Sequence, residues 1–230
     1  MMSSNVLNRV IHLRGADCAG TGFFVHVDGR EYVVTARHLA EALNENFLDV
    51  SFKNQWVREN FDVVGHCSES DVSVICFNRA ICSKEFTVIL SLEGLTYGQE
   101  VFFLGFPFGL SGDVDALLAG LPLPFVKRAT VSNIGNVSHP ELSLGADFWL
   151  DGINNIGFSG GPVVWGKSND LMNYRICGIV CSYYLDPEPV RDGVEQTTYR
   201  VDSNTGLILA ASIDRAIRLI EANPIGPVSA

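Results

Sequence analysis

The stretch Gly157-Phe158-Ser159-Gly160-Gly161-Pro162-Val163-Val164 sets one hydroxyl among three glycines, directly before an apolar β-branched run. Glycines lack Cβ, so such a backbone can approach a ligand closely and take positive φ. A serine held there can present its oxygen to a carbonyl carbon. The amides of Gly157 and Ser159 can then point at the oxyanion that forms. Serine is a weak nucleophile alone and needs a base within hydrogen-bond reach. His38, in Thr35-Ala36-Arg37-His38-Leu39, is the candidate base, able to take the serine proton and return it to a leaving amine. Asp71, in Ser70-Asp71-Val72-Ser73, is the candidate acid, which would fix the His38 tautomer and stabilise its cation. Together these residue types could run acyl transfer. Each also has a plain reading: a Gly/Ser turn, a histidine at a strand–helix junction, a carboxylate at a strand start.

The surrounding patterns say what must position them. Gly22-Phe23-Phe24-Val25-His26-Val27 and Tyr32-Val33-Val34 flank Asp28-Gly29, a strong hairpin signal. His38 follows the second strand of that hairpin. Asp71 opens the apolar strand pattern of Val72 to Ile75, and Val163-Val164 continues the serine turn into another strand. Asp62 is a rival acid by spacing, while His12, His26, His66 and His139 have weaker contexts. The 22 glycines and few helical stretches fit an all-β architecture. One clear helix is expected over 213–222, with Ser212 as N-cap, Ile213, Ile217 and Ile220 on one face, and Asn223-Pro224 as its end. It should pack on the second half of the chain.

Several segments resemble the trypsin-like (chymotrypsin-fold) serine peptidases, nearest the bacterial HtrA/DegP type. Gly20-Thr21-Gly22-Phe23 resembles that family's GSGF, and Val33 to His38 its VVTNxH. Asp71-Val72-Ser73-Val74 resembles DLAV, Gly105 to Leu110 resembles GxPFGL, and Asp151 to Pro162 resembles the stretch ending in GNSGGP. The order His38, Asp71, Ser159 matches the chymotrypsin type and not subtilisin or the α/β-hydrolases. The resemblance implies a single peptidase domain over 1–230 with two six-stranded antiparallel barrels, about 5–105 and 106–212, and a C-terminal helix. It implies a serine endopeptidase with His38, Asp71 and Ser159 as triad, favouring Asp71 over Asp62. The oxyanion hole would be the Gly157 and Ser159 amides. Ile153, six places before the nucleophile, would line the specificity pocket and favour an apolar side chain, and Gly178, Ile179 and Val180 would form the edge that takes the substrate as a strand. Two departures stand out. Phe158 replaces the usual Asp or Asn, so activation by a liberated N-terminus is not available, and Arg37 stands beside the histidine.

Composition bounds the rest. With 47% hydrophobic residues the chain can bury a full core. A formal charge of −10 disfavours non-specific nucleic acid or anionic membrane binding, which leaves polypeptides as partners, with a regulatory protein left open. Lys127-Arg128 reads as a solvated pair. No export signal or membrane-spanning run is visible, so a cytoplasmic location with reduced thiols is expected for the six cysteines. The spacing of Cys177 and Cys181 on a strand offers no tight chelating turn, and neither metal nor cofactor is expected. Residues 111–128 break regular structure yet are strongly apolar, as expected of a segment that gates the cleft, docks a partner or caps the second barrel. A catalytically reduced peptide-binding or scaffold module is the alternative class.

Overall fold

The computed structural model describes residues 2–43, 46–112, 120–135, 137, 145–166 and 174–229. Six strands form the first half: β1 (Val10–Arg14), β2 (Ala19–Val27), β3 (Arg30–Thr35), β4 (Phe47–Phe52), β5 (Gln55–His66) and β6 (Ser73–Phe77). They close into a barrel in the order β1-β2-β3-β6-β5-β4, all pairs antiparallel. The β2–β3 hairpin turns on Asp28 (φ 49°) and Gly29 (φ 74°), the double positive φ of a two-residue turn whose twist suits the strands. Two short helices flank this barrel, α1 (Ser4–Leu7) and α2 (Arg37–Ala42).

The second half corrects the expectation of two six-stranded barrels. It is a seven-stranded sheet built from β7 (Ile89–Leu90), β8 (Glu100–Gly105), β9 (Phe125–Ile134), β10 (Phe148–Asp151), β11 (Pro162–Trp165), β12 (Arg175–Asp192) and β13 (Glu195–Ser212), in the order β11-β8-β9-β10-β13-β12-β7. β11 also pairs β12, so the sheet bends back on itself. The unforeseen strand is β7, which joins Arg175 and Ile176 in parallel. A two-residue apolar pair carries no periodicity to announce a strand, and only its tertiary neighbour makes it one. β12 and β13, at 18 residues each, also run past the body of the sheet as a two-stranded arm.

The two halves share a core. Val10, Phe23, Val34 and Val74 of the barrel join Leu104, Phe106, Ile179 and Ala211 in one buried cluster. α3 (Ile213–Ala222) has the expected bounds, and its N-cap Ser212 accepts from the Asp214 N–H at 3.0 Å. Its face of Ile213, Ala216 and Ile220 lies in that shared cluster, against β5 and β6 as well as β12 and β13. The helix therefore clasps both halves. In the 111–128 segment, Leu117 and Leu118 lie outside the described residues. Its described end reaches the first barrel: the Lys53 N–H donates to Gly120 O at 2.7 Å, and Leu121 is buried among Ile11, Phe24 and Leu48.

Candidate active site

α2 starts one residue before His38, and its N-cap Ala36 has no side chain to cap it. Asp71, on the turn before β6, supplies the missing acceptor. Its Oδ1 accepts from the His38 backbone N–H at 2.9 Å, and its Oδ2 lies 2.7 Å from His38 Nδ1. A carboxylate at a helix N-terminus satisfies an orphan amide and sits at the positive end of the backbone dipole. One acid thus fixes both the backbone and the ring of the histidine. The Asp71 side chain is 12% exposed and that of His38 52%, so the pair is buried at the acid and open at the ring. Asp62, the rival acid, lies exposed on β5 opposite Cys76.

Arg37 turns away from the histidine. Its Nε donates to Glu41 at 2.7 Å and its Nη1 to Cys67 O at 3.0 Å. The other described histidines serve structure. His12 stacks on Phe106 at 4.6 Å, and burial, followed by Arg14, lowers its pKa to about 4. His66 pairs with Ser73 Oγ, and His26 with Arg9. His139 lies outside the described residues.

Ser159 is half-buried on the turn leading into β11. The turn is clamped to the barrel through Thr21 of β2, a fully buried residue. The Thr21 N–H donates to Ser159 O at 3.1 Å, and Thr21 Oγ1 donates to Gly157 O at 2.6 Å. The same hydroxyl accepts from the Phe106 N–H, while Thr35 Oγ1 donates to Thr21 O at 2.8 Å. Gly157 (φ +104°) and Gly160 (φ +81°) make the docking feasible. A Cβ on Gly157 would sit 2.2 Å from Phe106 O, and one on Gly160 2.2 Å from Thr21 O and 2.7 Å from Ala36 N. The Ser159 turn thus rests on the backbone that leads into His38. Among the described residues, no backbone carbonyl accepts from the amides of Gly157 or Ser159.

Phe158 is fully buried, edge-on to Phe103 at 4.9 Å. An apolar anchor therefore holds the turn from below. Lys127 completes the support: its Nζ donates to Ile153 O at 2.7 Å and Asn155 Oδ1 at 2.5 Å, and lies 5.5 Å from the Phe158 ring centroid. Lys127 is thus a tether of the loop before Ser159 and not a merely solvated charge. Burial lowers its pKa.

Ile153 is 55% exposed, with its Cδ1 3.7 Å from where a Cβ on Gly206 would sit, and Ile156 and Phe108, joined by the Phe108 N–H to Ile156 O bond, are each 66% exposed. Gly178, Ile179 and Val180 do not offer a free edge. Gly178 pairs with Val163 and Ser212, and Ile179 with Pro162 and Ala211. Val180 is held by Gly160 and Gly161 on one side and Ala210 on the other. The expectation of a free edge at these three residues is corrected: β11 pairs β12 up to Ile179, and the serine turn takes up Val180. Cys181 lies under the acid, with its Sγ 3.7 Å from Asp71 O. Burial, then Asp71, pushes its thiol pKa up, and burial does the same to Cys177. Both are inert core thiols.

Sequence reasoning missed a further brace. Arg215 of α3 donates from Nε and Nη2 to the two Asp147 oxygens at 2.6 and 2.7 Å, and from Nη1 to Glu69 at 2.7 Å. It ties α3 to the loop two residues before Asp71. An isolated arginine on a helical pattern gave no sign of this. Thr21 did carry a signal, as the hydroxyl between the glycines of Gly20-Thr21-Gly22.

The trypsin-like peptidase domain family matches residues 20–171, well over half of the chain. No curated protein matches. Among solved structures, an inactive serine-to-alanine mutant of Rv3671c from M. tuberculosis H37Rv superposes with a TM-score of 0.61 at 16% identity, covering 95% of this chain and 88% of that one. The HtrA-type protease AlgW with a tripeptide gives a TM-score of 0.62 at 16% identity, covering 95% of this chain and 61% of that one. At such identities these likenesses speak to the fold alone, and the chain spans under two thirds of AlgW.

Proposed function

The chain belongs to the trypsin-like peptidase family, and we propose that it is a serine endopeptidase working through His38, Asp71 and Ser159. The observation that carries this reading is the double contact that Asp71 accepts from His38, from the backbone N–H at 2.9 Å and from Nδ1 at 2.7 Å, with the imidazole left half open. With Nδ1–H donating to Asp71, the His38 ring has Nε2 free to accept a proton.

In the proposed cycle, Nε2 takes the Ser159 proton as Oγ attacks the substrate carbonyl carbon. The Gly157 and Ser159 amides stabilise the oxyanion, on the order of 3 kcal/mol for one donor. Collapse breaks the C–N bond, and the His38 imidazolium gives its proton to the departing amine. Water, deprotonated by the same ring, then releases the acyl group. Asp71 stays ionised and holds the imidazolium in place. A peptide would lie along β12 beyond Ile179, where the pairing with β11 ends, and the exposed Ile153, Ile156 and Phe108 favour apolar side chains around the cleaved bond. Phe158, buried in the core, leaves no role for a liberated N-terminus in maturation.

Labelling with a fluorophosphonate probe tests the reading. The chain should label as it is, without proteolytic trimming, and Ser159→Ala should not. An unlabelled native chain that still binds extended peptides would instead favour the peptide-binding module.

A further inference from the structure

Two arginines of the barrel, Arg14 at the end of β1 and Arg58 on β5, meet over one acid. Arg14 Nη2 donates to Asp49 Oδ2 at 3.0 Å, and Arg58 Nε to Asp49 Oδ1 at 3.5 Å. Each guanidinium also lies over a ring, Arg14 on Trp56 at 4.1 Å and Arg58 on Phe47 at 3.9 Å. Ring faces and Asp49 together fix where the two groups stand. Both stay open to solvent, with side chains 42% and 64% exposed. Among the described residues, Arg14 Nε and Nη1 and Arg58 Nη1 and Nη2 have no hydrogen-bond partner.

A structural ion pair needs one arginine for one carboxylate. Here two share it, so a positive charge is left over on a chain whose formal charge is −10. The two groups line a cavity of about 310 Å³ together with Gly15, Ala16, Leu43 and Asp49. Gly15 and Ala16 carry no side chain that could fill it. Asp17, next on the same turn, is exposed and does not line the cavity. The chain-wide charge counts for little at this spot, since salt screens charges more than about 8–10 Å away. The guanidinium fork suits a carboxylate, and a single spare charge matches a monoanion better than a phosphate dianion.

The ladder between β1 and β2 places the cavity relative to Ser159. Thr21, whose N–H donates to Ser159 O, pairs with His12, and Ala19, two residues back, pairs with Arg14. That offset puts the cavity on the order of 10 Å from the serine turn, about three residues of extended chain. The turn over 15–18 is closed by the Gly15 N–H donating to Cys18 O at 2.8 Å. A Cβ on Gly15 would sit 2.6 Å from Leu43 Cδ2, so this turn rests on the end of α2, the helix that carries His38. A peptide whose upstream part lies along β12 sends its downstream part to the barrel half, past the ring that must reach the departing amine. The cavity lies on that side.

We propose that Arg14 and Arg58 form a carboxylate pocket for an acidic side chain of the substrate, about three to five residues downstream of the cleaved bond. The proposal rests on the peptidase reading for its orientation and adds a charge preference to it.

The test uses pairs of amidated fluorescent peptides that differ only by Glu or Gln at one position. With the change about three to five residues downstream, kcat/KM for Glu should exceed that for Gln by roughly threefold to fivefold, the scale of one well-placed exposed ion pair, and salt should erase the ratio. With the change upstream of the bond, the ratio should be near one. Arg14→Gln with Arg58→Gln should bring the downstream ratio to one. Asp49→Asn should raise it by releasing both guanidinium groups, a sign that a merely structural trio would not give. A downstream ratio of one in the native chain, a ratio that survives the double variant in a folded protein, or a gain given only by a free terminal carboxylate on the Gln peptide overturns the proposal. The same pairs bound to Ser159→Ala, read by fluorescence anisotropy, report the preference without turnover. Tighter Glu binding that the double variant abolishes, in a chain that cleaves neither peptide, would sustain the pocket and end the peptidase reading. Equal cleavage of both peptides would do the reverse.

Discussion

The barrel and the seven-stranded sheet hold their candidate residues by different means. On the barrel side, His38 and Asp71 are fixed by side-chain hydrogen bonds at a helix start. On the sheet side, Ser159 is fixed by backbone: glycines pressed onto carbonyls, a carbonyl bonded to Thr21, and the neighbouring Phe158 driven into the core. The difference suits the roles proposed for them. A base needs one tautomer and one ring orientation, which a carboxylate imposes. A nucleophile with an oxyanion site needs free amides beside it, so its support has to come from everything except those amides.

The sharpest way to break this comparison is kinetic. Ser159→Ala and His38→Ala should each lower kcat by several orders of magnitude, and Asp71→Ala by roughly 10⁴, in steady-state peptide cleavage. Asp71→Ala turning over near the native rate, with Asp62→Ala inactive, would remove the barrel half of the argument.

Next comes the hydrophobic anchor. Phe158→Ala should cost about 3–5 kcal/mol in chemical denaturation, because the cavity opens in a closed core. Asp62→Ala, exposed on β5, should stay within about 0.5 kcal/mol. Equal effects would mean that the turn is not held from below.

Thr21→Val sharpens the comparison, since it keeps shape and removes the hydroxyl shared by Gly157 O and Phe106 N–H. A loss of about 1–3 kcal/mol is expected from the unpaired buried groups. If the clamp positions the oxyanion amides, kcat should fall more than KM rises, and Thr21→Ser should restore it. A stability loss with unchanged kcat would make Thr21 structural only.

The smallest effect concerns the brace at Arg215. Burial alone would raise the Asp147 pKa, but the Arg215 guanidinium and the Ser212 N–H outweigh it and hold the carboxyl below its ordinary value. The native state therefore takes up that proton later than the unfolded chain. Its stabilisation is whole above the ordinary carboxylate range near pH 4 and is lost as pH falls through the lower native value. Stability measured against pH should decline on that acid limb, and Asp147→Asn should flatten it. An unchanged acid limb in Asp147→Asn would show that the brace does not titrate.

Much of the site was readable because its parts are local. The Asp28-Gly29 turn, the Ser212 cap and the glycines around Ser159 each state their geometry within a few residues. Parts that depend on distant partners were not readable. β7 is a strand only because Arg175 and Ile176 lie beside it. Lys127 looked solvated because Ile153 and Asn155, the groups that bind it, are 26 and 28 positions away. Gly178 to Val180 looked like an edge because a strand's own residues do not say which of its sides are filled.

The sequence by itself determined the order and type of the candidate reacting groups, the hairpin that leads to His38, the glycine turn around Ser159 and the bounds of α3. These follow from backbone preference and short-range periodicity, which act over a turn or a strand. Tertiary structure alone decided that the second half is a seven-stranded sheet, that Phe158 faces the core, that Thr21 clamps the serine turn and that both sides of β12 are filled from Gly178 to Val180. Each of those depends on which surfaces meet across the fold, where burial and hydrogen-bond satisfaction act between residues far apart in the chain.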